Sequence, residues 1–121
     1  MRFVILLKDM DFMKKDLSGQ AYKNVGINDL ILVSLFRLEA LNHKPSFERL
    51  FRQCFDTFPN KFSLETYPDL PDSRKLDRTL RSLRTMKMIR GSPKESFSLT
   101  VIGRKRASRT INLFRQKKLR F

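Results

Sequence analysis

The stretch of sequence that decides the fold is LRSLRTMKMIRGSPKESFSLTVIGRKRA, residues 80–107. Its leucines are spaced like the end of an amphipathic helix, and short β-candidates follow at 88–90 and 96–100. The polar segment GSPKES joins the candidates and supplies the glycine and proline of a hairpin turn. Thr100 then provides an N-cap for a last helix, with Gly103 in its first turn.

Two apolar helices are predicted upstream of this stretch. The first spans 29–42 with Asn28 as its N-cap, and a helix that is apolar nearly all round is usually central. Ser46 caps the second helix, which ends before Pro59. The apolar positions of the second helix are Phe47, Leu50, Phe51, Cys54, Phe55 and Phe58.

A loop of about fourteen residues, 59–72, separates the second helix from the third and contains three prolines. We expect Phe62, Leu64 and Tyr67 to anchor it to the core. The segment 62–66 alternates enough between apolar and polar residues to form a short strand.

The third helix is predicted over 73–86, with Asp72 or Ser73 as its N-cap. A helical step of about 100° per residue separates its side chains into two faces. The buried face holds Leu76, Leu80 and Leu83, the opposite face holds Arg74, Arg78, Arg81 and Thr85, and Lys75, Ser82 and Arg84 flank the second face.

These arginines favour a polyanionic partner. Like charges at i,i+4 cost a helix roughly 0.2–0.5 kcal/mol per pair, and only Asp77 lies nearby to offset them. The planar guanidinium group can hold two phosphate oxygens or the O6/N7 edge of guanine. The alternatives are an acidic protein partner, or a solvated basic face without a binding role.

The charge of the whole chain is strongly asymmetric. Residues 1–73 contain ten basic and ten acidic side chains, whereas 74–121 contain sixteen basic and two acidic ones. The whole formal net charge of +14 therefore lies in the last 48 residues. Because self-repulsion opposes compactness, such a gradient is typical of a surface that meets nucleic acid.

The order helix, helix, loop, helix, hairpin, helix resembles the winged-helix (winged helix-turn-helix) DNA-binding superfamily, with a general pattern like PadR-like and MarR-like regulators. The resemblance covers roughly 28–107 and includes a closing signature, "LT-x-x-G-R", at Leu99, Thr100, Gly103 and Arg104. It implies an α+β fold, predominantly α, with a two-stranded wing and additional N- and C-terminal helices. The sequence departs from the pattern at loop 59–72, because a DNA-binding helix-turn-helix has a turn of about 3–4 residues there.

The resemblance and the charge together predict non-catalytic binding of double-stranded DNA by a small transcriptional regulator. The predicted DNA-binding residues are Arg74, Lys75, Arg78, Arg81, Arg84, Thr85, Arg90, Lys94, Arg104, Lys105 and Arg106. The third helix would enter the major groove, and Lys94 at the hairpin tip would approach a phosphate or the minor groove. For the hairpin tip, the alternative is an ordinary turn without a binding role. For the protein as a whole, the alternative is a winged-helix protein–protein or RNA-interaction module within a larger assembly.

The basic tail, 104–121, carries a narrow apolar stripe of Ala107, Ile111 and Phe114. This stripe suits pairing with a second subunit, so we expect a homodimer through the N-terminal segment, the last helix or both. The stripe would otherwise pack on its own core, or lie on an anionic membrane, for which it is thin.

The predicted organisation has three parts: an N-terminal arm or helix at 1–24, a winged-helix domain at 25–103, and a basic C-terminal helix or tail at 104–121. Within the arm, 1–18 has helical apolar spacing, although its first residues also suit a short strand.

Other classes of function receive little support from the sequence. Cys54 lies on an apolar helix face and is expected in the core, and His43 stands alone at a helix end. No His/Cys cluster has metal-ligand spacing and no phosphate-binding loop is present, so we expect no enzyme activity, metal or cofactor. The apolar runs are too short to span a membrane or form a signal peptide, which favours a cytoplasmic or nucleoid-associated protein.

Overall fold

A computed structural model describes residues 25–119, with side chains described for 25–116. The predicted N-terminal arm, 1–24, lies outside the described residues. Within them, the helices are α1 (Ile27–Ala40), α2 (Phe47–Thr57), α3 (Ser73–Thr85) and α4 (Val101–Leu119), with a 3-10 turn at Pro59–Lys61. Strands β1 (Ile89–Gly91) and β2 (Phe97–Leu99) form a two-stranded antiparallel sheet. The described fold is therefore α+β and mostly helical.

Helix α1 is the centre of the core, because every residue from 30 to 36 is buried. The helix begins at Ile27, so the prediction that Asn28 is its N-cap is wrong. Gly26 is the N-cap and makes no side-chain capping bond; its carbonyl accepts the N–H groups of Asp29 (3.1 Å) and Leu30 (3.2 Å). Since Ile27 packs against the core, apolar burial favours the earlier start.

Helix α2 begins as predicted, because the Ser46 hydroxyl accepts the N–H of Arg49 at 3.2 Å. Its inner face buries Leu50 and Cys54, and Phe58 closes the helix as a fully buried side chain. The helix thereby presents a continuous apolar surface to the rest of the core.

The long loop after α2 is an excursion whose two ends meet. The N–H of Asp72 donates to the carbonyl of Phe62 at 2.8 Å, and the N–H of Leu64 donates to the carbonyl of Leu70 at 2.9 Å. One β-bridge joins Ser63 to Pro71. Residues 63–71 therefore form a projecting loop that leaves the fold and returns to it. Helix α3 starts directly after Asp72, the residue that is hydrogen-bonded to Phe62.

Two predictions for this loop are wrong. Tyr67 is 60% exposed and does not anchor the loop, whereas Phe62 is fully buried and Leu64 is half-buried. The strand predicted over 62–66 is reduced to a single bridge, because the N–H groups that would extend the ladder donate within turns: Leu70 to the carbonyl of Tyr67 at 3.0 Å and Phe62 to that of Pro59 at 3.2 Å.

Helix α3 is capped by Asp72, whose carboxylate accepts the N–H of Arg74 at 3.1 Å. The hairpin that follows pairs Ile89 with Leu99 and Gly91 with Phe97. Gly91 has φ +115°, and a Cβ there would lie 1.9 Å from the carbonyl oxygen of Ser96. The turn therefore requires glycine at this position.

The hairpin is held against the connection between α1 and α2. The N–H of Phe97 donates to the carbonyl of Pro45 at 2.9 Å, and the N–H of Leu99 donates to Glu39 Oε2 at 2.8 Å. Both contacts join segments that are far apart in the chain, so they fix the position of the hairpin on the helices.

Helix α4 packs along α1 and starts at the predicted cap, where Thr100 Oγ1 accepts the N–H of Gly103 at 3.1 Å. Its apolar stripe of Ala107, Ile111 and Phe114 is buried in the core of its own chain, which is one of the alternatives left open above. The helix is continuous through residue 103, so the predicted boundary between domain and tail falls inside it. In the described part of the chain, no helix has the length and apolar character to cross a bilayer.

Candidate nucleic-acid interface

The outer face of α3 carries an exposed row of side chains, here called the α3 stripe: Arg74, Arg78, Arg81 and Thr85. The guanidinium side chains of Arg74 and Arg81 are 78% and 71% exposed. The three leucines of α3 are buried on the opposite side, so the predicted division of this helix into two faces is confirmed.

Two carboxylates form ion pairs with arginines of the α3 stripe. Arg74 Nε lies 3.2 Å from Asp72 Oδ1, and Arg81 Nη2 lies 3.2 Å from Asp77 Oδ2. The Arg81–Asp77 pair is exposed and contributes roughly 0–1 kcal/mol, so a phosphate can replace its carboxylate at small cost. The Asp72 side chain is only 9% exposed, so the Arg74–Asp72 pair is not of this kind. Arg78, between them, has no carboxylate within ion-pair distance among the described residues.

Asp72 has a structural role in addition to its charge. The hydrogen bond from the Arg74 side chain is the main cause that holds the pKa of this carboxyl below its ordinary value, although desolvation opposes the shift. The same ionised carboxylate caps α3 by accepting the N–H of Arg74. A ligand that binds the Arg74 side chain would therefore compete with the capping residue of this helix.

Two predicted contact residues position neighbouring segments. Lys75 Nζ donates to the carbonyl of Ser63 at 2.6 Å and ties the projecting loop to α3. Arg84 Nη1 donates to the carbonyl of Gly91 at 3.2 Å and ties the hairpin to α3. Both acceptors are uncharged carbonyls, so neither hydrogen bond is an ion pair.

The hairpin adds two exposed cations beside α3. Arg90 lies on β1 opposite Ser98, and Lys94 lies in the tip between the strands. Neither side chain forms an ion pair within the described part of the chain. The hairpin therefore extends the positive surface beyond α3.

Two of the three predicted contact residues on α4 form ion pairs with α1, and the third is exposed. Arg104 Nη2 lies 2.8 Å from Glu39 Oε1 and Arg106 Nε lies 2.6 Å from Asp29 Oδ1, so both arginines join α4 to α1. The hydrogen bond to Asp29 raises the pKa of Arg106, which stays charged. Lys105, between them, is exposed.

Cys54 is buried, as predicted from its place on the apolar face of α2. Burial raises the pKa of its thiol to about 12, against the smaller opposing effect of a hydrogen bond with Ser34. A thiol with this pKa is protonated at neutral pH and is not a nucleophile.

One further cation, Lys87, was missed by the sequence reasoning. It lies in the turn between α3 and β1, with φ +60°. It shares a cleft with Arg84 and Arg90. Its place directly after the C-cap Met86, two residues beyond the last helical residue, is a position where glycine is usual, and this is the sequence signal that could have identified it.

Comparison with known proteins gives no relative of this chain: no family model matches it, and neither a curated protein nor a solved structure does so.

Proposed function

We propose that this chain is a winged-helix protein that binds double-stranded DNA without catalysis, as a small transcriptional regulator. The observation that carries the proposal is the α3 stripe, in which Arg74, Arg78 and Arg81 are exposed on one face of a helix beside a hairpin. A recognition helix in the major groove needs such side chains on its outer face.

The local geometry of the long loop supports this proposal. A DNA-binding helix-turn-helix requires a short connection before its recognition helix. Because the N–H of Asp72 meets the carbonyl of Phe62, the excursion over 63–71 is closed at its base, and the direct path from α2 to α3 runs only through 58–62 and Asp72. Lys75 secures the excursion through Ser63, so in this proposal it acts chiefly by positioning the loop.

The proposed contacts divide into groove and backbone contacts. Arg78, Arg81 and Thr85 would enter the groove together with Arg74, and Arg90, Lys94 and Lys105 would contact phosphates. Phosphate contacts fix register and add affinity but carry little sequence information. Arg104 and Arg106 would contribute less, because they pair with carboxylates of α1.

A homodimer is also part of the proposal. Because the apolar stripe of α4 is occupied by its own core, pairing through α4 would use its outer side, where Val101 and Leu113 are exposed. The N-terminal segment 1–24 is the other candidate for pairing. Two copies would then read half-sites about 34–36 Å apart, one turn of duplex.

The test compares two double variants on electrophoretic mobility shift with random duplex DNA. Arg78→Gln with Arg81→Gln removes two charges from the α3 stripe, and Arg49→Gln with Arg52→Gln removes two exposed charges from α2. The controls are matched, because Arg52 pairs with Asp56 at i,i+4 just as Arg81 pairs with Asp77.

We expect the α3 variant to bind random duplex at least about tenfold more weakly at roughly 0.15 M salt. On random sequence these arginines bind phosphates, and each lost phosphate contact reduces the slope of log K against log salt by about 0.9. The α2 variant should bind within about threefold of the natural sequence, as expected for a charge distant from the duplex. Equal binding by the two folded variants would reject the α3 stripe as the interface.

A second candidate function is supported by the projecting loop. Residues 65–70 are all exposed and include Tyr67 and Leu70, with Glu65 and Asp69 beside them. An exposed loop with aromatic and apolar side chains suits a protein–protein contact, or an RNA contact within a larger assembly. Two results together would favour this function: the natural sequence does not bind duplex DNA, and a Tyr67→Ala variant loses binding to the protein or RNA partner.

A further inference from the structure

A basic cleft lies at the base of the hairpin, away from the centre of the α3 stripe. It is an open cleft of about 440 Å³, lined by the last turn of α3, strand β1 and the first turn of α4. Its charged lining residues are Arg84, Lys87 and Arg90. These come from three consecutive elements, namely the helix, the turn and the strand, so the fold brings their charges to one place.

Nothing in the described lining of this cleft neutralises the three cations. The other lining residues are Ile89, Thr100, Val101 and Ile102, which carry no charge. Arg84 is held in place by its hydrogen bond to the carbonyl of Gly91, which leaves its charge unpaired. Three unpaired cations around a cleft repel one another, and an anion of high charge density removes that repulsion.

The backbone at Lys87 is an independent observation. After α3, the N–H of Met88 donates to the carbonyl of Leu83 and the N–H of Lys87 donates to the carbonyl of Arg84. This is the Schellman arrangement, whose left-handed position normally holds glycine. Lysine adopts φ +60° there at an energetic cost that glycine would avoid.

The end of α1 shows the same arrangement with a better-suited residue. The N–H of His43 donates to the carbonyl of Leu38, the N–H of Asn42 donates to that of Glu39, and Asn42 has φ +58°. Asparagine visits the left-handed region more readily than lysine does. Of these two matched helix ends, only the one beside the cleft carries a cation in the unfavourable conformation, which points to a role for its charge.

We propose that Arg84, Lys87 and Arg90 form a phosphate-binding site, and that its ligand is a backbone phosphodiester of the duplex bound by α3. The proposal rests on the proposed function for the source of the phosphate. The same chemistry would accept a free phosphate ion or phosphomonoester, so the experiment has one arm for each source.

The first arm measures thermal unfolding and duplex affinity for Lys87→Gly and for its matched control, Asn42→Gly. Both substitutions relieve a left-handed residue at a helix end, so both should raise the unfolding temperature. Only Lys87→Gly should weaken duplex binding, by about fivefold at roughly 0.15 M salt, and reduce the slope of log K against log salt by about 0.9. Lys87→Asn removes the charge but keeps a side chain suited to this backbone, and it should show the same loss of affinity.

Unchanged affinity and salt slope in both Lys87 variants would overturn the proposal, while duplex binding by the natural sequence would leave the proposed function intact. The second arm titrates inorganic phosphate and follows the Arg84, Lys87 and Arg90 resonances by NMR. If the natural sequence does not bind duplex, the proposed function fails. Saturable shifts that Lys87→Asn abolishes would then support the site with free phosphate as its ligand and overturn the duplex assignment, whereas no shifts would overturn the site itself.

Discussion

Gly103 lets the first turn of α4 lie directly against the turn that precedes β1. A Cβ at this position would lie 2.0 Å from the carbonyl oxygen of Met88, a backbone atom that the hydrogen bond from the Thr100 N–H holds in place. Within the "LT-x-x-G-R" signature, close approach of two backbones is therefore a physical reason for glycine.

We expect Gly103→Ala to lower the free energy of unfolding by about 1–2 kcal/mol, because overpacking costs more than the gain in helix propensity returns. Gly26→Ala is the matched control, since nothing lies within 4 Å of a Cβ there. Alanine restricts the unfolded chain but is a poorer N-cap than glycine, so the control should stay within about 0.5 kcal/mol of the natural sequence. Urea denaturation measures both, and an unchanged or higher stability of Gly103→Ala would contradict the argument.

The capping residues show which features a sequence determines at the scale of the residue. Ser46, Asp72 and Thr100 were all predicted as caps, or as one of two candidate caps, because a cap bonds to an N–H only two or three residues away. The prediction that Asn28 is the N-cap was wrong because burial of Ile27 against the core, a tertiary effect, makes α1 begin one residue earlier than Asn28. The left-handed conformation of Lys87 also depends on the chain's turn into β1, which no local preference of lysine indicates.

At the scale of elements, Glu39 joins α1 to both the hairpin and α4. Its two carboxylate oxygens accept the N–H of Leu99 and the side chain of Arg104, each at 2.8 Å. The N–H of Leu99 belongs to a buried residue, so removal of its acceptor leaves a costly unsatisfied donor.

Glu39→Ala should therefore destabilise the fold by about 1–3 kcal/mol, measured by urea denaturation. Glu39→Gln keeps an acceptor for the N–H of Leu99 and should lose less. Glu65→Ala removes an exposed carboxylate from the projecting loop and should change stability by no more than about 0.5 kcal/mol. If Glu39→Ala behaves like Glu65→Ala, the carboxylate does not hold these elements together.

The sequence predicted which face of a helix is buried better than it predicted what that face packs against. Helical spacing identified the inward face of α3 and the stripe of Ala107, Ile111 and Phe114, because periodicity reports burial. It left open whether that stripe meets its own core or a second copy. The hydrogen bonds that close the excursion over 63–71 likewise join backbone groups whose proximity has no periodic signal.

At the scale of the whole molecule, the net charge of +14 affects folding and binding in opposite directions. Repulsion among the cations opposes the compact state, and salt screens that repulsion over a Debye length of about 10 Å at 0.1 M. The ion pairs of α4 with α1, and those of Arg74 and Arg81 with carboxylates of their own segment, lower part of this repulsion. Among the described residues, Arg78 and the hairpin cations form no such pair.

Added salt should therefore raise the unfolding temperature of the free protein while it weakens binding to duplex DNA. If about six phosphates are neutralised, log K should fall against log salt with a slope near −5, because bound counterions are released from the duplex. Thermal unfolding and mobility shift over the same series of salt concentrations measure the two effects on one sample. A flat binding slope would show that the positive surface does not meet phosphates, and unfolding that becomes easier with salt would show that its charges are compensated within the fold.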